Sequence, residues 1–242
     1  MWAWDRSLPF LDAAVDGLRR QGRLGARLTP AGKQFCDDAK RMLELFVAAR
    51  HRARQAARPA SHFTVGFMPG IAATAVIREF AESLPGTDIS VVQMSPSNQV
   101  DYLLGGTVDV CFVQLPISSR LFEIVPLFLE PRVIALPAEH PLATHGGLSL
   151  EHLSGLDRVG GPGPGADWSV PIEEQLERVA LGLGYAVLPE GTARFYHRRD
   201  LRYLHVAGLD NIEVALAQHK ARPMPEFDRF ARIALRLLGR VA

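Results

Sequence analysis

At His62-Phe63-Thr64-Val65-Gly66-Phe67 the chain changes from a helical to an alternating hydrophobic period, and the order of elements from here onward decides the fold. This stretch reads as a strand. A helix is predicted from about Ile71 to Ser83, with Ile71, Ala75, Ile77, Phe80, Ala81 and Leu84 near one face. Asp88 to Met94 reads as a second strand, and Ser97 to Leu104 as a second helix stopped by Gly105-Gly106. Val108 to Val113 reads as a third strand. Strand, helix, strand, helix, strand is the pattern of a parallel sheet with crossover helices, so this half is an α/β unit.

Further along, Phe122 to Phe128 and Pro131 to Leu136 read as strands, closed by Glu139-His140-Pro141-Leu142-Ala143, with His140 a turn residue. Leu148 to Leu153 is predicted as a short helix, Ile172 to Leu181 as a helix, Tyr185 to Leu188 as a strand stopped by Pro189, and Gly191 to Tyr196 as a helical turn. Tyr203 to Val206 and Glu213 to His219 read as strands. Pro225 to Arg240 reads as a closing helix with Phe227, Phe230, Ala231, Ala234, Leu237 and Leu238 inward. The run Gly160-Gly161-Pro162-Gly163-Pro164-Gly165 is too rich in Gly and Pro for a regular element. Its prolines remove backbone donors and no Lys-Ser or Lys-Thr comes after it, so it is a poor phosphate loop.

On the N-terminal side, Arg27-Leu28-Thr29-Pro30-Ala31-Gly32 opens a long helix. Thr29 suits the N-cap and Pro30 the first helical position, where a missing N–H costs nothing. Phe35, Ala39, Met42, Leu43, Phe46, Val47, Ala49 and Ala53 then form one apolar stripe toward Pro59. Lys33, Lys40, Arg41, Arg50, His51, Arg52, Arg54 and Arg58 lie on the other faces. Residues 1–26 offer at most one amphipathic helix, from Ser7 to Arg20.

With 27 Lys and Arg against 26 Asp and Glu, the net charge of +1 gives no general argument for nucleic-acid binding. The basic run at residues 50–58 is a local cluster, which a solvated helix face also explains. Cys36 and Cys111 are far apart and in different element types; Cys111, in an apolar run, reads as a buried structural thiol. No run of eighteen apolar residues and no export-signal pattern is found, which implies a cytoplasmic, membrane-free protein. The eight histidines lack paired metal-site spacing, no Gly-x-Ser-x-Gly elbow occurs, and Glu173-Glu174 at a helix start suits the dipole better than acid–base chemistry. The sequence therefore gives no support for an enzyme, a metal or a cofactor.

Several stretches resemble LysR-type transcriptional regulators. Arg27 to Gly32 is similar to the end of the family's DNA-binding wing and the start of its linker helix. Leu104-Gly105-Gly106-Thr107-Val108-Asp109-Val110 resembles its Leu-x-x-Gly-x-Leu-Asp-Leu segment, and Leu136 to Leu142 its Pro-x-x-His-Pro-Leu crossover turn. Val179 to Pro189 resembles Val-Ala-x-Gly-x-Gly-Ile-x-x-Leu-Pro. The resemblance implies a two-lobed effector domain like the type 2 periplasmic binding proteins, over residues 60–242. It implies a wing end and linker or dimerisation helix over 27–59, and a remnant or replaced segment at 1–26, too short for a winged helix-turn-helix. It also implies a truncated second lobe, because the twenty residues from Leu153 to Glu173 are short of the strand, helix and strand the family has there.

In an open α/β sheet, ligands bind beyond the carboxyl ends of the strands. That rule selects Met68, Gly70, Thr74, Ser95, Ser97, Asn98 and Gln114 as lining for a small, anionic effector, while Ser95 and Ser97 also suit a plain capping role on the second helix. The implied partners are this effector, a second copy of the chain through the linker helix, and DNA. Toward DNA, Arg27, Lys33, Arg50, Arg52 and Arg54 are suited only to phosphate contacts, which position without specifying sequence. The competing readings are a solute-binding protein of the same fold and a shortened regulator that acts only by dimerising with intact relatives.

Overall fold

The computed structural model describes residues 62–144, 146–160 and 170–239, together with Gln34, Asp38, Ala39 and Met42. It divides into two compact units, Met1–Ala56 and Ala57–Ala242. In the first, the described residues are helical; Gln34 Nε2 donates to Asp38 Oδ2 one turn on at 3.0 Å, and Met42 is 64% exposed. The helix start at Thr29-Pro30, Cys36, and Arg27, Lys33, Arg50, Arg52 and Arg54 lie outside the described residues.

The second unit has two lobes. Lobe I is a five-stranded sheet in the order β2-β1-β3-β10-β4, built from β1 (His62–Phe67), β2 (Asp88–Gln93), β3 (Val110–Gln114), β4 (Phe122–Glu130) and β10 (Ile212–His219). β1 pairs in parallel with β2 and β3, as the alternation of strands and helices predicts. β10 then runs antiparallel to both β3 and β4, so the sheet is mixed. Both faces are covered, which is why β3 reads as an unbroken apolar run. Val110 and Phe112 join Phe63, Phe80 and Phe230 under α1 (Ala73–Ser83) and the C-terminal helix α5 (Phe227–Leu238). Cys111 and Val113 join Met94, Leu103 and Phe122 on the face of α2 (Gln99–Leu104). The Asp of the Gly-x-x-Asp-like segment has a local task. Asp109 Oδ2 accepts from Thr64 N at 2.7 Å while Asp109 N donates to Thr64 O at 2.9 Å, which locks the entry to β3 against β1.

Lobe II is a three-stranded antiparallel sheet, β7-β5-β8, from β5 (Arg132–Pro137), β7 (Ala186–Pro189) and β8 (Leu201–Leu204). One face packs on α3 (Ile172–Ala180) and α4 (Glu190–Phe195) through Val133, Ala135, Leu176, Val179, Leu188 and Leu201. The other face packs on the two-stranded β6 (Leu148–Ser149) and β9 (Val206–Ala207) and their neighbours, through Ile134, Leu136, Leu153 and Val187. Among the described residues between Leu153 and Ile172, the sheet gains a single bridge, Arg158 to Tyr185. Gly184 makes that bridge fit: it sits at φ +136°, and a Cβ there would lie 2.1 Å from Asp157 O.

Several expectations need correction. The first helix starts at Ala73, because Met68 to Ile71 form a turn in which Ile71 N donates to Met68 O at 3.2 Å. Its buried residues are Ala73, Val76 and Phe80, whereas Ala75 and Ala81 are exposed; small alanines carry little weight in choosing a face. In α5, Ile233 is buried and Leu237 is 39% exposed, so the stripe lies one step round the helix. Leu148 to Leu153 is a short strand leading into a single 3-10 turn, Leu150–Leu153, boxed at its start by Ser149 and His152. The expected strand from Tyr203 to Val206 is broken at His205, and its two parts serve different sheets. His140 is a turn residue as expected: its Nδ1 accepts from Leu142 N at 3.2 Å. No helix among the described residues is long and apolar enough to cross a membrane.

Candidate functional site

The chain passes between the lobes twice, at Glu130-Pro131-Arg132 and between Ala207 and Ile212, and Arg132 Nε donates to Asp210 O to tie the two crossings together. Above this junction lies a cleft of about 450 Å³. Its lobe I wall is made by the carboxyl ends of three strands: Met68 after β1, Met94 to Asn98 after β2, and Gln114 at the end of β3. Its lobe II wall is made by Arg132, Pro171 to Glu173, Gln175, Val187 to Pro189 and Thr192.

Backbone geometry holds the lobe I wall. Asn98 Oδ1 accepts from Ser95 N at 2.9 Å, and Asn98 N and Gln99 N both donate back to Ser95 O at 3.2 and 3.1 Å, closing a tight turn at the head of α2. Neither Ser95 nor Ser97 caps the helix by its side chain. Their hydroxyls bond each other at 2.8 Å and line the cleft. Gln99 is buried and grips the end of β3 in both directions, with Nε2 donating to Gln114 O and Oε1 accepting from Gln114 N, each at 2.9 Å. This clamp satisfies the strand-end backbone within the protein and fixes where Gln114 faces the cleft.

The lobe II wall is held by polar contacts around α3 and α4. Tyr196 Oη donates to Glu173 Oε1, and Tyr203 Oη donates to Tyr196 O at 2.6 Å. Burial pushes the Tyr196 hydroxyl well above its ordinary pKa, and the bond to Glu173 adds to this, so it stays a donor at neutral pH. Glu130, 8% exposed, accepts from Gly191 N at 2.8 Å at the start of α4. Desolvation raises its pKa, the Gly191 bond works against that, and Glu190 adds to the rise. Gly191 lies against Gly70 so closely that a Cβ on Gly70, at φ +94°, would meet Gly191 C at 2.2 Å.

Of the residues that the sequence selects, Met68, Ser95, Ser97, Asn98 and Gln114 line one cleft. Gly70 and Thr74 do not. Gly70 is where lobe I touches α4, and both residues face a neighbouring depression with Ile77, Val91, Arg194 and Phe195. The strand-end rule runs past the turn here, because Pro69 and Gly70 bend the chain away from the cleft. The opposite wall, Arg132, Glu173, Gln175 and Thr192, lies outside that selection. The same rule applied to Pro189, at the end of β7 and the head of α4, leads to Thr192; Arg132 carries no comparable signal, since it begins its strand. Among the described residues, no three His, Cys, Asp or Glu are grouped to hold a metal ion. Cys111 is fully buried, and burial pushes its thiol pKa up.

Two lobes joined by two crossings, with strand ends facing a cleft between them, define a binding module of the type 2 periplasmic-binding-protein architecture. Its fold matches the effector-binding domain of BenM with its effector benzoate at a TM-score of 0.60, with 18% identity over 74% of this chain and 93% of that one. A full-length OxyR variant from Pseudomonas aeruginosa matches at a TM-score of 0.58 and 24% identity, over 95% of this chain and 86% of that one. Residues 56–180 match the LysR substrate binding domain family, to which this chain belongs. Among curated relatives, the Hca operon transcriptional activator HcaR of Escherichia coli (strain K12) is 32% identical over 135 residues, 54% of this chain and 46% of the relative. The HTH-type transcriptional regulator BudR of Raoultella terrigena is 30% identical over 203 residues, covering 72% and 69%. The matched region thus spans about half the length of the first relative and two thirds of the second.

Proposed function

We propose that this chain is the sensing part of a cytoplasmic LysR-type transcriptional regulator, and that it works by binding a small anionic metabolite in the interlobe cleft rather than by catalysis. The observation that carries this reading is the composition of the cleft. Hydroxyl and amide groups of Ser95, Ser97, Asn98 and Gln114 on one wall face a wall that carries the cation Arg132 as well as the carboxylate of Glu173, and apolar Met68, Val187 and Ile212 complete the lining. Such a lining solvates a carboxylate at one end and covers an apolar body with the rest. Binding that bridges both walls favours the closed arrangement of the lobes and so shifts the population of lobe orientations.

The linker helix is assigned to pairing with a second copy. Met42, a member of its predicted apolar stripe, is 64% exposed, which leaves this side chain available to pack on a second copy. DNA contact is assigned to phosphate binding by Arg27, Lys33, Arg50, Arg52 and Arg54, which alone give retention without sequence preference. The shortened segment before α3 is read as a reduced second lobe. Thermal unfolding of the full chain across small carboxylates tests the sensing role: at least one is expected to raise Tm, and a response lost in Gln114→Leu assigns it to the cleft. Retention of labelled promoter fragments at low salt tests the DNA assignment, and sequence-dependent retention would refute the phosphate-only role.

A further inference from the structure

The head of α4 is bonded at three consecutive residues to groups that belong to lobe I or to the first crossing. Glu190 N donates to Pro131 O at 2.9 Å, Gly191 N to Glu130 Oε1 at 2.8 Å, and Thr192 Oγ1 to Pro69 O at 3.0 Å. The first N–H groups of a helix have no partner within it, and two of them are taken up here. The acceptors come from two separate pieces of chain, the turn after β1 and the end of β4 with its crossing. The docking of α4 therefore does not depend on the crossing alone.

Between these bonds two stretches of backbone meet with no side chain in the gap. A Cβ on Gly70 would lie 2.2 Å from Gly191 C and 2.3 Å from Thr192 N, and one on Gly191 would lie 2.5 Å from Gly70 O and 2.6 Å from Glu130 Oε1. A side chain can absorb a shift by changing rotamer, but backbone against backbone cannot. The turn that carries Gly70 is itself held, by Ile71 N donating to Met68 O and by the fixed φ of Pro69. Pro69 and Thr192 line the cleft, while Pro69, Gly70 and Gly191 line the neighbouring depression, so the contact is the partition between the two spaces.

We propose that the head of α4 is the pivot of the cleft. It stays docked on lobe I with and without ligand, lobe II turns about it and the two crossings, and the spacing of the walls is set there before a ligand arrives. Thr192 is a positioning residue in this arrangement, holding the lobe II wall to the turn after β1. This rests on the cleft being the effector site. Preset walls lose less freedom on binding, so a wedge at the pivot costs affinity although neither glycine lines the cleft.

The test uses the full chain, with residue-resolved hydrogen exchange and calorimetric titration of benzoate, phthalate, succinate and pyruvate. In the native chain the Glu190 and Gly191 amides are expected to exchange slowly without ligand and to change less than twofold when a carboxylate binds. Gly191→Ala suits the helix, where alanine is favoured, but wedges the contact. In it the two amides are expected to exchange at least tenfold faster and the carboxylate to bind at least tenfold more weakly. Gly70→Ala is expected to weaken binding likewise. Gly86→Ala places the same residue on a similar left-handed backbone, φ +88°, with open space around it, and is expected to bind as the native chain does. Thr192→Val is expected to lose affinity, and Thr192→Ser, which keeps the hydroxyl, to lose less. Amides that become protected only with ligand overturn the pivot, because the docking then forms on binding. Native affinity in both Gly70→Ala and Gly191→Ala also overturns it and leaves the cleft reading standing. Equal weakening by Gly86→Ala traces the loss to backbone strain and overturns it as well. A native chain that binds none of the probes overturns the cleft reading together with this one.

Discussion

Lobe I closes its sheet with phenylalanine and lobe II with small aliphatics and ion pairs, and the two walls of one cleft inherit that difference. In lobe I the rings of Phe63, Phe80, Phe112 and Phe230 pack with centroids 4.8 to 6.0 Å apart. Each ring removes a large apolar area from water, on the order of 2–3 kcal/mol per side chain. In lobe II the largest fully buried side chains are aliphatic, Ile134, Leu136, Leu176, Leu188 and Leu201. Its outer helices are laced by Arg178–Glu174 and by Arg198 with Glu177 and Asp200, all exposed enough to contribute little each. The cleft thus has one wall on a five-stranded base with an aromatic core and one on a lighter, three-stranded base that carries the cation Arg132.

The sharpest way to break that contrast is to remove one ring. Phe230→Ala is expected to cost about 3–5 kcal/mol in urea unfolding, since Phe230 touches three other rings and is fully buried. Leu176→Ala, the matching deletion in lobe II, is expected to cost about 2–3 kcal/mol, because the smaller cluster collapses more easily around the gap. If the two cost the same, the lobes are equally tight and the contrast fails. Gln99→Ala leaves the Gln114 N–H and C=O without their partners at the lobe I rim and is expected to cost about 1–2 kcal/mol. Hydrogen exchange at Gln114 should rise with it; an unchanged rate would mean the strand end is held by something else.

The smallest effect concerns the junction. Burial raises the Glu130 pKa, so the folded state holds this proton more tightly than the unfolded chain does. Its contribution favours folding below the unfolded carboxyl pKa and is lost as pH rises through the raised one. Glu130→Gln should therefore gain stability on the native chain between about pH 4 and pH 7, as measured by unfolding at both values. A gap that narrows toward pH 7 would overturn the assignment.

The legible part of the molecule follows the same division. Strand β3 was readable because a strand buried on both faces is an apolar run between turn signals, β1 from its alternation, and the edge strand β2, with no fully buried residue, from its β-branched Ile89, Val91 and Val92; the cleft residues of lobe I sit where these strands end. Lobe II was readable as elements but not as a wall. Its cleft residues come from the start of one strand, the end of another and the first turns of two helices, positions with no shared periodicity. Ser95 and Ser97 show the limit in the other direction. Their type and place before a helix fit capping, and only the geometry, with Asn98 folding back on Ser95 N, directs their hydroxyls to each other and to the cleft.

The register between β10 and β4 pairs Ile212 with Glu130, the last residue before the chain leaves lobe I and the first strand residue after it returns. In chain path, lobe II is an insert at the tip of a hairpin, and lobe I is assembled from the two flanks. Excising residues 131–211 and joining the flanks through a two-residue turn would leave every strand of the five-stranded sheet in place. Each half of the cleft is therefore a separable part, and an exchange of inserts between relatives would graft a new cation wall onto an unchanged base.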